Sequence, residues 1–473
     1  MRGKIFSRTV GVILTALFFV VFKIYAVDYS LMGQKLDTLV KYAVPMGTDI
    51  SISVFDLELD SAVYDYRDKV LVRPASVMKL ITSITALSCL GTSYTFNTDV
   101  RIVGEINSDS VLLGDLYIVG DLDPEFKVED MDILVSKINS YGIKKIDGRV
   151  LADVTMMDSL YWGPGWCWDD TPESYQPYIS PLMINGGYVG VSAKPGKKGE
   201  APIVSVSPES SYYSVIVSAL SNTNSLRAPT ITREWLTNKN NIHIKGNVTK
   251  PIAIELNIYG SAQFFIHVFR ERLERQGISV DTIGMGTAPK ESITIATTSR
   301  SIKEVMKEAM KESKNLNAEA MFLHLGKLRK SRDVSFADAS DYQETFIKRT
   351  LRNDKLIFKI ADGSGLSVYN YVSSSLIVDM LRHAYKQSII FDIICDALPV
   401  SGMDGTLRGR LGTKQTIGRI KAKTGSMTGS CSLAGFISTQ DNRQLAFCII
   451  NEGVLSLSAA RRLQDEICLI LCQ

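Results

Sequence analysis

Residues 73–91 read RPASVMKLITSITALSCLG, and this one stretch carries both a helix and a reaction. Val77, Leu80, Ile81, Ile84 and Leu87 recur at helical spacing, and Gly91 supplies the stop. Ser76 opens the helix, and Lys79 follows one turn later on the same face. A serine hydroxyl is a weak nucleophile until a neighbouring base takes its proton, and a lysine can do so if its own charge is suppressed. The helix N-terminus adds backbone N–H groups and a partial positive charge. Taken alone, Ser-x-x-Lys is weak evidence, since one chance match is expected in a chain of this length.

Working outward, Asp49 to Tyr66 reads as two short strands, ISISVFDLE and SAVYDYR. From Thr95 to Asp153 short β runs alternate with Gly and Asp, and Trp162 to Pro181 is an irregular, aromatic-rich connection. Asn185 to Asn247 is a small β-rich stretch. FFIHVFRERLERQGISV predicts a helix ended by Gly277 and then a strand, and Ile302 to Lys327 predicts one long helix. Beyond it, helices (Ser373–Lys386, Ser456–Leu471) alternate with strands (Ile417–Thr424, Ser432–Thr439, Gln444–Asn451). The expected architecture is α/β (α+β) and multidomain, a helix-and-sheet domain split in sequence by a β-rich insertion.

Composition narrows the function. The chain has 473 residues, too many for one ordinary core, and 45% are apolar. A net charge of +3 and the lack of a basic tract exclude an electrostatic case for nucleic acid. Arg2, Lys4 and Arg8 precede an apolar run from Val10 to Phe22, with Ala26 after it, the layout of a signal peptide over residues 1–26. Lys23 cuts the run short of a spanning helix, so export to the periplasm or cell envelope is expected. Seven scattered cysteines form no CxxC pair, which indicates neither zinc nor a disulfide framework. With only four histidines, proton transfer has to use something other than His.

Two further motifs stand out. Lys423-Thr424-Gly425, followed by Ser426, ends a strand-like run: glycine on an edge lets a ligand backbone approach, and Lys with Thr can hold a carboxylate. Ser313-Lys314-Asn315 lies in ESKNLNAEAM, and because i and i+2 do not share a helical face, the pair belongs at a helix end or loop.

Ser-x-x-Lys, Ser-x-Asn and Lys-Thr-Gly in this order resemble the signature of penicillin-binding proteins and serine β-lactamases. The long stretch between Ser76 and Ser313 narrows the resemblance to class C low-molecular-mass penicillin-binding proteins, peptidase family S13. So do GDLYIVGDLDPEF, WCWDD, SKNLNAEAMFLHLG, DGSGLS, LPVSGMDGTLRGRL and IKAKTGSMTGSCSLAGF. The resemblance implies a penicillin-binding, β-lactamase-like catalytic domain (27–94 and 296–473), an inserted domain II (95–184 and 245–295) and a small β-rich domain III (185–244). It implies a D-alanyl-D-alanine carboxypeptidase/endopeptidase acting on peptidoglycan peptides and acylated by β-lactams, with no metal or organic cofactor. Ser76 is then the nucleophile, Lys79 its base, Ser313 the proton relay and Asn315 the ligand of the substrate amide. Lys423 and Thr424 hold the terminal carboxylate. Gly425, Ser426 and Met427 line the substrate, with the N–H groups of Ser76 and Ser426 as oxyanion hole. Lys423 near Lys79 suggests that like-charge repulsion leaves Lys79 neutral while Lys423 stays cationic. Three positions depart from the family: Lys314 for a frequent Asp, expected to point away from the cleft, Val368 for a frequent Arg, and Asp121-Leu122-Asp123-Pro124 for Gly-Gly-Asp-Pro. A β-lactamase and a non-catalytic wall-binding homologue are the competing readings, and the oligomeric state is left open.

Overall fold

The computed structural model of the chain describes residues 29–222 and 227–473. Residues 45–473 form one compact unit, while 1–44 form another whose described part is the helix Ser30–Ala43. Of residues 27–44, expected with the catalytic domain, the described part, 29–44, therefore belongs to a separate unit. The expected signal segment, 1–26, lies outside the described residues.

The sheet that organises the larger unit joins the two ends of its sequence. Its strands are β1 (Asp49–Asp56), β2 (Ser61–Tyr66), β3 (Ile420–Met427), β4 (Gly429–Ser438) and β5 (Gln444–Val454), in the order β3-β4-β5-β1-β2. β1 pairs antiparallel with β5, Ile52 opposite Ile449, so the chain closes this sheet only after the whole insertion has been traversed. Both faces of β4 and β5 are buried, in keeping with their near-continuous apolar runs.

Helices cover the sheet: α1 (Met78–Leu90), α2 (Ile302–Lys311), α3 (Asn315–Lys327), α4 (Phe336–Leu351), α5 (Ser374–Tyr385), α6 (Ser388–Ala397) and α7 (Leu457–Leu471). The expected single helix from Ile302 to Lys327 is two. The chain breaks at Ser313, which takes φ +61°, and restarts at Asn315. Every residue of α1 from Met78 to Leu87 is buried, so this is a central helix with no solvent face. Burying each of Leu80, Ile81 and Ile84 there contributes about 1.5–3 kcal/mol.

The insertion adds a mixed seven-stranded sheet, whose central strand Lys145–Asp153 pairs in parallel with Leu116–Gly120 and Ser279–Met285. Two helices, Val128–Ser140 and Ser261–Arg275, pack with it around a second apolar core. The first of these sits in a stretch read as β runs only. Its apolar residues, Met131, Leu134, Val135 and Ile138, are diluted by four acidic or amide residues. Short strands between Tyr188 and Val248 make small sheets, and Ile252–Asn257 pairs with Tyr188–Lys194. That last strand, expected in domain II, thus hydrogen-bonds to the small β-rich stretch.

Candidate active site

Ser76 sits in a single 3-10 turn, Ala75–Val77, that feeds directly into α1. The turn is held from two sides. On the β4 side Ser432 Oγ donates to Pro74 O at 2.6 Å and Ser430 Oγ to Arg73 O at 2.7 Å. On the other side lies the loop 362–367, DGSGLS. Ala75 itself takes a positive φ of 48°, and a Cβ on Gly365 would fall 1.9 Å from Ala75 O. Only glycine permits that approach, and Gly365, at φ +82°, is in the backbone region where glycine is at no disadvantage.

Lys79 is fully buried one turn along. Its Nζ donates to Ser76 Oγ at 2.9 Å, to Asn315 Oδ1 at 2.8 Å and to Ser364 O at 2.8 Å. Asn315, the first residue of α3, donates from Nδ2 to Tyr175 O at 2.9 Å. Ser313, in the break between α2 and α3, accepts from Lys423 Nζ at 2.8 Å, and Lys423 Nζ also donates to Thr424 O at 2.8 Å. Thr424 Oγ1 donates to Thr406 Oγ1 at 2.8 Å. A Cβ on Gly425 would meet Ser432 Oγ at 2.2 Å and Ser76 N at 2.9 Å, so glycine here lets the end of β3 lie against the Ser76 amide. Ser426 and Met427 complete that strand, Ser426 exposed and Met427 half-buried.

Three motifs far apart in sequence are therefore linked through two amines: Lys79 joins Ser76 to Asn315, and Lys423 holds Ser313. The shifts of the two amines differ from the expectation. Burial is the main cause for both. It pushes Lys79 down to about 8, offset in part by the carboxylates of Asp362 and Glu319. Lys423, with no carboxylate beside it, is driven well below the ordinary lysine range by burial and then by the charge on Lys79. The expected contrast, with only Lys79 lowered, is thus not what burial imposes: both amines are lowered.

Sequence reading assigned no role to the groups beneath this cluster. Asp362 accepts from Trp166 Nε1 (2.9 Å), Gly365 N (2.8 Å), Ser367 N (2.7 Å) and Asn370 Nδ2 (2.7 Å). Glu319 accepts from Gly363 N at 2.9 Å and Ser364 N at 2.8 Å, and burial beside Asp362 pushes it up to about 8. Together they shape the loop that offers Ser364 O to Lys79. The only signal was their place in DGSGLS and SKNLNAEAMFLHLG.

The departures also find places. Lys314 turns from the amines and pairs with Glu125 and Glu308, each at 2.9 Å. Leu122 adopts φ +54°, a conformation that glycine takes more readily, and is fully buried. A cleft of about 550 Å³ opens beside Ser313 and Asn315, lined also by Glu125, Lys127, Tyr188 and Glu255. No group of His, Cys, Asp and Glu suited to a metal ion occurs among the described residues.

Comparison with known families decides the membership. Residues 33–473 match the D-Ala-D-Ala carboxypeptidase 3 (S13) family. The chain belongs to this family. A D-alanyl-D-alanine carboxypeptidase of Actinomadura sp. (strain R39) is 27% identical over 467 residues, covering 93% of this chain and 84% of the relative. D-alanyl-D-alanine carboxypeptidase DacB of Haemophilus influenzae is 24% identical, covering 85% of each. In fold, the S13 chain is similar to the crystal structure of penicillin binding protein 4 (dacB) from Haemophilus influenzae, with a TM-score of 0.80 at 22% identity over 92% of this chain and 99% of that one. That protein is also solved in complex with a β-lactam, at a TM-score of 0.74. The S13 chain is accordingly a serine-type peptidase, and no helix among its described residues is long and apolar enough to cross a membrane.

Proposed function

We propose that this S13 carboxypeptidase removes D-alanine from D-alanyl-D-alanine peptides of peptidoglycan through an acyl-enzyme on Ser76, that it also cleaves cross-links, and that β-lactams acylate the same serine. The observation that carries the reading is the reach of Lys79 Nζ to both Ser76 Oγ and Asn315 Oδ1, with Lys423 Nζ on Ser313 Oγ beside them. Near neutral pH a minor fraction of Lys79 is unprotonated and takes the Ser76 proton as Oγ attacks the carbonyl. The N–H groups of Ser76 and Ser426 face the developing oxyanion. Asn315 holds the substrate amide. The substrate carboxylate brings Lys423 a counter-charge that favours its cationic form, and Thr424 adds a hydrogen bond. Ser313 passes a proton to the departing amine, and water then hydrolyses the acyl-enzyme with Lys79 again as base.

Residues 45–94 and 302–473 form the catalytic domain in this reading, and the insertion makes two smaller ones. The protein is exported, and intact-mass analysis of the native protein should show residues 1–26 missing. A labelled penicillin should attach to Ser76 alone, and Ser76→Ala should lose both labelling and D-alanine release. A stable adduct is expected, rapid turnover would mean a β-lactamase, and no adduct would mean a non-catalytic wall-binding protein.

A further inference from the structure

Lys314 stands between the two second-motif residues that meet the buried amines, and its side chain runs along the cleft wall to the inserted sheet unit. Its Nζ reaches Glu125 Oε1 at 2.9 Å and Oε2 at 3.2 Å. The same Oε1 accepts from Asn317 Nδ2 at 3.0 Å. One carboxylate thus holds the chain on both sides of Asn315. The Glu125 side chain is only 11% exposed, and its own backbone is fixed, with N donating to Asp123 Oδ1 at 3.0 Å and O accepting from Arg300 Nη2. On the opposite side Tyr175 O, also from the insertion, takes Asn315 Nδ2.

The turn needs such support. Ser313 is a non-glycine residue at φ +61°, a conformation that persists only where its surroundings over-determine it. On the other side Lys311 ties the preceding turn to Leu398 O and Asp404, and α2 meets the same two residues, Lys314 and Asn317. Glu308 pairs with Lys314 at 2.9 Å and Val305 O accepts from Asn317 Nδ2 at 3.0 Å, so Glu125 closes from the insertion a grip that α2 begins. A solvent-exposed ion pair contributes little to stability, roughly 0–1 kcal/mol. The Glu125 pair differs because its carboxylate is nearly buried, although the Lys314 side chain is 39% exposed, and because it sits one residue from each group that hydrogen-bonds an amine.

We infer that Glu125 and Lys314 are positioning residues: the inserted unit clamps the Ser313–Asn315 turn, and this clamp sets the rate of acylation. The inference rests on the proposed roles of Ser313 and Asn315. A misplacement of about 1 Å in such a site costs on the order of a hundredfold in rate.

The test measures the acylation rate constant and the dissociation constant for a penicillin separately, on the native exported protein, with thermal unfolding alongside. Lys314→Glu places a third carboxylate against Glu125 and Glu308, and should slow acylation at least tenfold with the dissociation constant changed by less than threefold. Lys314→Arg should keep at least half of the rate, and the exchange Glu125→Lys with Lys314→Glu should recover most of it. If Lys314→Glu does not fold, Lys314→Met and Glu125→Gln serve, each with a loss of about threefold to tenfold. Folded variants acylated within twofold of the parent overturn the inference, as does a lowered melting temperature with an unchanged rate, or an exchange that restores nothing. A parent that no penicillin acylates removes the proposed function itself, and this inference with it.

Discussion

At the scale of single residues, burial sets the chemistry. Lys79 and Lys423 are both fully enclosed, and desolvation dominates the shift of each. A base must be unprotonated to act. With Lys79 at about 8, the second-order acylation rate should fall about tenfold per pH unit below pH 8 and level off above it. A flat profile from pH 6 to 9 would contradict the assignment. Lys79→Arg should abolish acylation, because a guanidinium does not release its proton near neutral pH. Lys423→Arg keeps the charge and alters the shape, so a loss of about tenfold to a hundredfold is expected, or ~1.4–2.8 kcal/mol of transition-state stabilisation. Stopped-flow acylation of the two folded variants checks this, and equal losses would mean that the lysines are assigned wrongly.

At the scale of elements, the active site consists of close approaches between backbones. The 3-10 turn of Ser76 is gripped between β4 and the loop after Asp362. Gly365→Ala would put a methyl 1.9 Å from Ala75 O at a residue with φ +82°. It should destabilise the protein by about 2 kcal/mol or more, since both a clash and a disfavoured φ are introduced. Acylation should fall further than stability alone explains, because Ala75 precedes Ser76, the proposed nucleophile. Calorimetry and penicillin binding on the same sample measure both, and an unshifted melting temperature would show that the loop yields freely. The sequence located this loop as a motif yet not its purpose, since the carboxylate of Asp362 folds onto its own loop only when α3 and Trp166 are packed against it.

For the whole molecule, insertion and catalytic core are not independent modules. Phe96, Leu122, Met156, Met157, Ile179 and Met183, all from the insertion, lie in one apolar cluster with α1, α2 and α3. Excising residues 95–301 therefore should not leave a small folded catalytic domain. The shortened chain should lack near-ultraviolet circular dichroism and a cooperative thermal transition. A sharply melting product would show that the core closes without those side chains.

The sequence by itself determined the three motifs, their order and the split domain, because helix periodicity, strand alternation and the spacing from Ser76 to Ser313 are local or countable. It also favoured a helix end or loop for Ser313 and Asn315, because i and i+2 face apart, while reading the surrounding stretch as one helix. It did not show the break itself, since ESKNLNAEAM has good helix formers on both sides and only tertiary ties to Glu125 and Lys79 hold the turn open. The helix Val128–Ser140 escaped for a similar reason: its apolar stripe becomes distinctive only against the sheet that buries it. The shifts of the two lysines were beyond any reading of residues, because desolvation and the distance to a carboxylate are properties of packing. Asp362 and Glu319 lie beside Lys79 and not beside Lys423, and only the folded chain decided that.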